Sequence, residues 1–179
     1  MKKIMILAIS VLLFACAPVL NRELMKEGTA NPSLPDLRAN PDAFKGNLYI
    51  LGGVIVQTRF VQNGSQMEVL SLAVDSKGYL KDTERTMGRF LAIYPRDRGF
   101  LDPEVYKKGR AVTLAAVFSG LHTGRIDDMD YVYPVFEIRQ VYLWEEQRDY
   151  YNVYPYYPYN YYTNPYWGPW GPPPPAWWW

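Results

Sequence analysis

Two residues that can carry chemistry occur once each in this chain, Cys16 and His122. A lone thiol can be a nucleophile, a metal ligand or a point of covalent attachment, but it cannot close an internal disulfide. His122 lies in Gly120-Leu121-His122-Thr123-Gly124, and a Ser-His or Cys-His nucleophilic system would have to centre on it. The flanking glycines mark a hairpin tip, where a histidine without a catalytic role is the simpler reading. Asp127-Asp128-Met129-Asp130 crowds three carboxylates. It lacks the glycine at position six and the closing glutamate of a calcium loop, so a solvated acidic loop fits better. Gly52-Gly53 has no adjoining Gly-x-x-Gly spacing and no long helix after it, which argues against a phosphate cradle. The residue types thus point away from an enzyme. No catalytic residue, no metal site and no bound cofactor is expected.

Cys16 is distinguished by what precedes it. Lys2 and Lys3 lead into an apolar run from Ile4 to Phe14, followed by the small residue Ala15. A basic start, an apolar core of this length and a small residue before the cut make a secretory signal peptide over residues 1–15. The run falls well short of the ~20 residues a spanning helix needs. Its ending, Leu13-Phe14-Ala15-Cys16, resembles the bacterial lipobox, in which the cysteine thiol is acylated and becomes the first residue of the mature protein. Phe14 is bulkier than the usual residue at its place. Lipidation of Cys16 is therefore expected, and the covalent lipid is the one non-protein group expected. The alternative is an ordinary signal peptide that ends near a cysteine.

The elements that must follow such an anchor can be read from pattern. Removing Lys2 and Lys3 with the leader takes the 19 basic residues to 17, against 18 acidic ones. A nearly neutral chain lacks the basic surface that holds nucleic acid phosphates, so no nucleic acid partner is expected. Residues 16–39 are polar and hold Pro18, Pro32 and Pro35, which reads as the acylated cysteine and a flexible tether. Residues 40–146 read as one small domain. Asn40-Pro41-Asp42-Ala43-Phe44-Lys45-Gly46 and Asp102-Pro103-Glu104-Val105-Tyr106-Lys107-Lys108-Gly109 are capped helical turns, each with proline at the first position and glycine at the stop. Leu101 and Tyr106 stand at the two ends of a hydrophobic staple around the second turn. The two turns are either a weak internal repeat or a convergence. Strands are expected over 48–56, 67–74, 89–94, 110–119 and 135–144, with a hairpin signal at Asn63-Gly64. Residues 75–88 and 120–131 read as loops. Gly52-Gly53 in mid-strand marks a bulge or sharp bend. The expected fold is all-β with short helical turns: a small, partly open, OB-like barrel of five to six strands, with a flattened sandwich as the alternative.

Residues 147–179 change character. Tyr, Pro, Trp, Asn and Gly dominate, with Pro172 to Pro175 and Trp177-Trp178-Trp179 at the end. Such a segment forms no helix and little sheet, so a disordered, extended tail is expected. Tyr and Trp favour membrane interfaces and sugar faces. Peptidoglycan and the membrane surface are therefore the partners expected for the tail. On the last strand, Phe136, Tyr142 and Trp144 alternate onto one face with Ile138 and Gln140. They are candidates for a ligand-binding face, although core packing explains them more simply.

The segment from Pro41 to Trp144 resembles the Slp family of bacterial outer-membrane lipoproteins, known for starvation-inducible members. The matching residues are Gly52-Gly53-Val54-Ile55, Gly88-Arg89-Phe90, Gly99-Phe100-Leu101-Asp102-Pro103 with Tyr106, Gly109-Arg110-Ala111-Val112-Thr113, Gly124-Arg125-Ile126, Tyr131-Val132-Tyr133-Pro134-Val135 and Leu143-Trp144. Asp127 departs from the glycine expected after Ile126. The resemblance implies a lipid-anchored envelope protein on the periplasmic side of the outer membrane, with a structural or interaction role. It carries over no catalytic residue; the only functional residue it maps is the acylated Cys16. Ala17 fits that destination, because an aspartate at that place tends to retain lipoproteins at the inner membrane. A ligand-binding module for an oligosaccharide or small molecule on the barrel is the alternative function.

Overall fold

A computed structural model describes residues 17–81 and 86–145. The leader, Cys16 and residues from 146 onward lie outside the described residues.

β-branched and apolar alternation builds two hairpins. Strand β2 (Leu48–Val61) turns through Gln62-Asn63 into β3 (Gly64–Leu72), with Val61 paired to Gly64. Strand β4 (Arg89–Pro95) pairs antiparallel with β3. Strand β5 (Ala111–Ile126) returns as β6 (Met129–Leu143). The ring closes in two places. β2 pairs antiparallel with β5 from Leu48 opposite Val117 to Val54 opposite Ala111, and β4 runs parallel to β6 through Leu91–Val135, Ala92–Phe136 and Ile93–Glu137. The order around the barrel is β2-β3-β4-β6-β5 and back to β2. The small five-stranded barrel expected from the pattern is present. It is hydrogen-bonded all the way round, and its β4–β6 seam is the shortest. The two-residue strand β1 (Thr29–Ala30) lies parallel to β2, pairing Tyr49 and Ile50 on the edge that β3 takes over at Gly52.

Inward residues of all five strands meet around Phe136, whose ring makes edge contacts with Tyr49 at 6.0 Å and Phe90 at 5.5 Å and a tilted one with Phe118 at 5.4 Å. Such pairs add about 0.5–1.5 kcal/mol each beyond their buried area. Leu101, ahead of the second turn, is buried in the same core, and Tyr106 packs against it.

Gly52-Gly53 does not form the expected bulge. The register slips between Ile55 and Gln57, so Val56 is the extra residue. The two glycines serve close approach instead. A Cβ at Gly53 would meet the carbonyl of Leu70, and one at Gly52 the side chains of Leu80 and Val74. Residues 120–131 are likewise not a loop. Both strands run on through them, and only Asp127-Asp128 turns the chain, with Asp127 at φ 51.

The segment expected as a tether is folded onto the barrel. Helix α1 (Arg22–Glu27) is capped by the Asn21 side chain, which accepts from Glu23 N. Leu20, 3% exposed, joins Ile50, Val74 and Ala115 in a second apolar cluster on the outside of the barrel, with Leu24 and Met25 against it. Helix α2 (Leu34–Ala39) buries Leu34 and Leu37 in the main core. The cause is an outward apolar patch on the barrel at Ile50 and Ala115. Covering it with leucines is worth about 1.5–3 kcal/mol per side chain. The turn before β2 is helix α3 (Pro41–Phe44), with proline at its start but no side-chain bond from Asn40.

Candidate functional site

Two places on the barrel stand out: a polar cleft at one end of β5 and the edge where the chain enters at the other. The cleft begins with a bulge. Pairing slips between Phe118 and Gly120, and beyond it the β5–β6 hairpin continues as an arm past the barrel. Tyrosines fasten that arm. The Tyr133 hydroxyl donates to Glu68 Oε1 at 3.3 Å, and the Tyr131 hydroxyl accepts from Arg89 N and from Arg38 Nη1, both at 3.0 Å. Arg38 also lies 5.5 Å above the Tyr131 ring, a cation–π contact. Arg89 Nη1 completes the network with a 2.7 Å bond to Glu68 Oε1. That bond raises the Arg89 pKa, while burial pushes the Tyr133 hydroxyl up and the nearby Glu68 charge adds to it.

Between the arm and β2–β3 lies a concavity of about 290 Å³, with Gln57, Arg59, Gln66, His122 and Arg125 in its wall. A neighbouring one of about 300 Å³ shares Gln66, Leu91 and His122. Volumes near 300 Å³ sit at the small end of ligand pockets. Two amides and two guanidiniums can hydrogen-bond hydroxyl, carbonyl or anionic groups. Glu68, the carboxylate of the first wall, is engaged by Arg89 and Tyr133, and the Ser119 hydroxyl in the second donates to Val135 O at 3.0 Å. The walls therefore present hydrogen-bonding side chains to the two concavities. Among the described residues, no group of three or more His, Cys, Asp or Glu converges to hold a metal.

His122 is placed on a strand, paired with Tyr133, rather than at a hairpin tip, and its side chain faces the cleft. The acidic run is split: Asp127 and Asp128 make the turn, and Met129-Asp130 begin β6, all exposed. The strand face drawn through Phe136, Ile138, Gln140, Tyr142 and Trp144 is not one face. Pairing slips at Arg139, since Ala115 faces Gln140 and Ala116 faces Ile138. An extra residue moves every later side chain to the opposite side. Phe136 and Ile138 are fully buried in the core, Val141 and Leu143 pack on it, and Tyr142 is 40% exposed. Sequence reasoning missed the Tyr131–Glu68–Arg89 network. Its signal was the alternation Tyr131-Val132-Tyr133, which reads as strand once the Asp127-Asp128 turn is recognised.

The second place is the entry edge. Val19 N donates to Lys77 O at 2.9 Å, and Asn21 N donates to Gln140 Oε1 at 2.8 Å. The turn that receives Val19 is fixed by Asp75, whose carboxylate accepts from Lys77 N at 2.8 Å and Tyr79 N at 2.9 Å. Cys16 and the aromatic tail lie outside the described residues.

Known proteins bear on this arrangement. A family described as the outer membrane lipoprotein Slp family matches residues 13–177. An uncharacterized protein of Haemophilus influenzae is 36% identical over 95 residues, which cover 52% of this chain and 50% of that protein. The chain thus spans about half the length of the curated relative it matches. Among solved structures, a mitochondrial single-stranded DNA binding protein of S. cerevisiae aligns over 57% of this chain and 98% of its own, at 11% identity and a TM-score of 0.34. Schizosaccharomyces pombe Pot1pC bound to ssDNA aligns over 59% of this chain and 84% of its own, at 10% identity and a TM-score of 0.33. With the family match covering residues 13–177, this chain belongs to the outer membrane lipoprotein Slp family.

Proposed function

We propose that this envelope lipoprotein is cut before Cys16, acylated there, and held on the inner leaflet of the outer membrane with its barrel in the periplasm. Its role is interaction rather than catalysis. The observation that carries this reading is the outer membrane lipoprotein family match, which begins at residue 13 and so takes in Leu13-Phe14-Ala15-Cys16. More than one acyl chain is needed for a stable anchor, and lipoprotein maturation supplies it. Cys16→Ser is the test. The variant should lose the lipid mass on the mature chain and leave the outer-membrane fraction; unchanged fractionation overturns the anchor.

The aromatic tail, residues 147–179, is the segment we assign to wall or membrane contact. Soluble protein running from Ala17 to Trp179 should pellet with purified peptidoglycan, and protein ending at Arg148 should not. If neither pellets, the wall contact is wrong.

A second reading, ligand binding on the barrel, is favoured by the cleft, where Gln57, Arg59, Gln66 and Arg125 converge beside His122. An oligosaccharide or a small anionic molecule suits that lining. Arg59→Ala with Gln66→Ala should weaken retention of soluble glycan fragments without lowering the melting temperature. Equal retention by both proteins contradicts it. Nucleic acid is not among the partners proposed.

A further inference from the structure

Beside the chain's entry lies an outward aromatic cluster. The Trp144 ring is 5.5 Å from that of Tyr79 and 4.9 Å from that of Tyr142. Tyr79 and Tyr142 are 44% and 40% exposed. The cluster is fixed from beneath: Trp144 Nε1 donates to Thr113 Oγ1 at 3.1 Å, and Thr113 Oγ1 donates to Gly78 O at 2.9 Å. Gly78 also joins the cluster to the entering chain, since a Cβ there would touch Val19 at 3.4 Å. Tyr79 thus follows directly on Lys77 and Gly78, the two residues that meet Val19, and Trp144 and Tyr142 extend the cluster from there.

The next step rests on the acylation of Cys16. Three Cα steps of about 3.8 Å separate Cys16 from Val19, a reach of at most ~11 Å. The headgroup and interfacial region is roughly 5–8 Å deep on each side of the hydrocarbon. A barrel on so short a lead stays against that layer, entry edge inward. Tyr and Trp, apolar at one end and polar at the other, are the side chains enriched at this depth. We propose that Tyr79, Tyr142 and Trp144 seat the barrel on the phospholipid headgroups of the leaflet that holds the acyl chains. The same placement turns the cleft away from the membrane, because His122 is nine residues from Thr113 along β5, roughly 30 Å at 3.3 Å per residue.

The test uses the mature, acylated protein in vesicles of phosphatidylethanolamine and phosphatidylglycerol. A nitroxide is attached at Tyr142→Cys, and in a second protein at Met129→Cys, at the far end of β6 and 75% exposed. With Cys16 acylated, the introduced thiol is the only one to label. Collisions with a water-soluble nickel chelate should fall severalfold at 142 relative to 129, and collisions with oxygen should rise. A label at Lys81→Cys, two residues from Tyr79 and exposed, repeats the reading without touching the cluster and should be protected in the same sense. If the protein floats with the vesicles but all three labels meet the chelate equally, the seating is overturned while the anchor stands. If it does not float, the acylation reading fails and the seating with it.

Discussion

Gly46 and Gly109 hold the same backbone angle, φ 89, at opposite ends of one strand pair. Gly46 N donates to Phe118 O at 2.9 Å, and Gly109 N donates to Ile55 O at 2.8 Å. Each helical turn therefore ends by tying itself to the strand that the other turn precedes. β2 and β5 run antiparallel between these two ties, so the turns are related by a local two-fold at the heart of the barrel. The two stretches that resemble each other in sequence occupy equivalent places.

The surroundings of these glycines predict unequal costs. A Cβ at Gly46 or Gly109 would find nothing within 4 Å, so only the left-handed backbone resists alanine. Gly46→Ala and Gly109→Ala should each cost about 1–2 kcal/mol. Gly53→Ala drives a methyl into the Leu70 carbonyl, where backbone must move, and should cost at least ~3 kcal/mol or prevent folding. Urea unfolding of the three variants checks the order. Equal losses would show that contact at Gly53 is relieved without strain.

The Glu68–Arg89 pair lies between β3 and β4, with side chains 18% and 31% exposed. Partial burial puts it above an open surface pair, and Tyr133 shares the same carboxylate. Arg89→Ala should cost about 1–2 kcal/mol, with the difference from wild type shrinking in high salt. A loss below ~0.3 kcal/mol would mean that water replaces the guanidinium without penalty.

Leu20 decides whether the entry segment is part of the domain. At 3% exposure it packs with Ile50, Val74 and Ala115, and Leu20→Ala should cost about 2–3 kcal/mol. Protection of the Val19 amide against exchange should fall further than that of Phe90 in the core. An unchanged midpoint would return residues 17–27 to the status of a tether.

Asp75 gives the entry edge a pH dependence. Its pKa is lowered, first by the backbone hydrogen bond from Tyr79. A carboxylate whose folded pKa lies below the unfolded value of 3.8 contributes stability that is full above that value and is lost as the pH falls through the folded one. The loss thus falls below pH 4. Wild type should lose more stability than Asp75→Asn between pH 5 and pH 2, with the amides of Lys77 and Tyr79 opening first. Parallel curves for the two proteins would refute the assignment.

Much of the barrel is legible because alternation, proline and glycine act locally. Pro41 with Gly46, Pro103 with Gly109 and the turn before Gly64 are where local chemistry places them. The entry segment was not legible. Leu20, Leu24 and Met25 look sparse in sequence, and their partner, the outer patch at Ile50 and Ala115, exists only after the barrel closes. The cleft was hidden for a related reason. Glu68 and Arg89 meet across the β3–β4 pair, but Tyr133 is far from both in sequence and joins them only because the β5–β6 arm runs on past the barrel.

The Arg139 bulge offers the sharpest check on how this strand is read. Read straight through, β6 would send Phe136, Ile138, Gln140, Tyr142 and Trp144 to one side. The register slip keeps Phe136 and Ile138 in the core and then brings in Val141 and Leu143. Deleting Arg139 removes the extra residue and leaves a regular strand on which Ile138, Val141 and Leu143 still alternate inward, whereas deleting Arg139 together with Gln140 turns Val141 and Leu143 outward and Tyr142 inward. The single deletion should therefore cost no more than about 1–2 kcal/mol, while the two core side chains lost in the double deletion together exceed about 4 kcal/mol, a large share of a small domain's stability. Arg139→Ala removes only an exposed 3.2 Å pair with Glu137 and should stay within ~0.5 kcal/mol of wild type. If the single and the double deletion melt alike, the strand has found another register and the bulge is not what sorts core from surface.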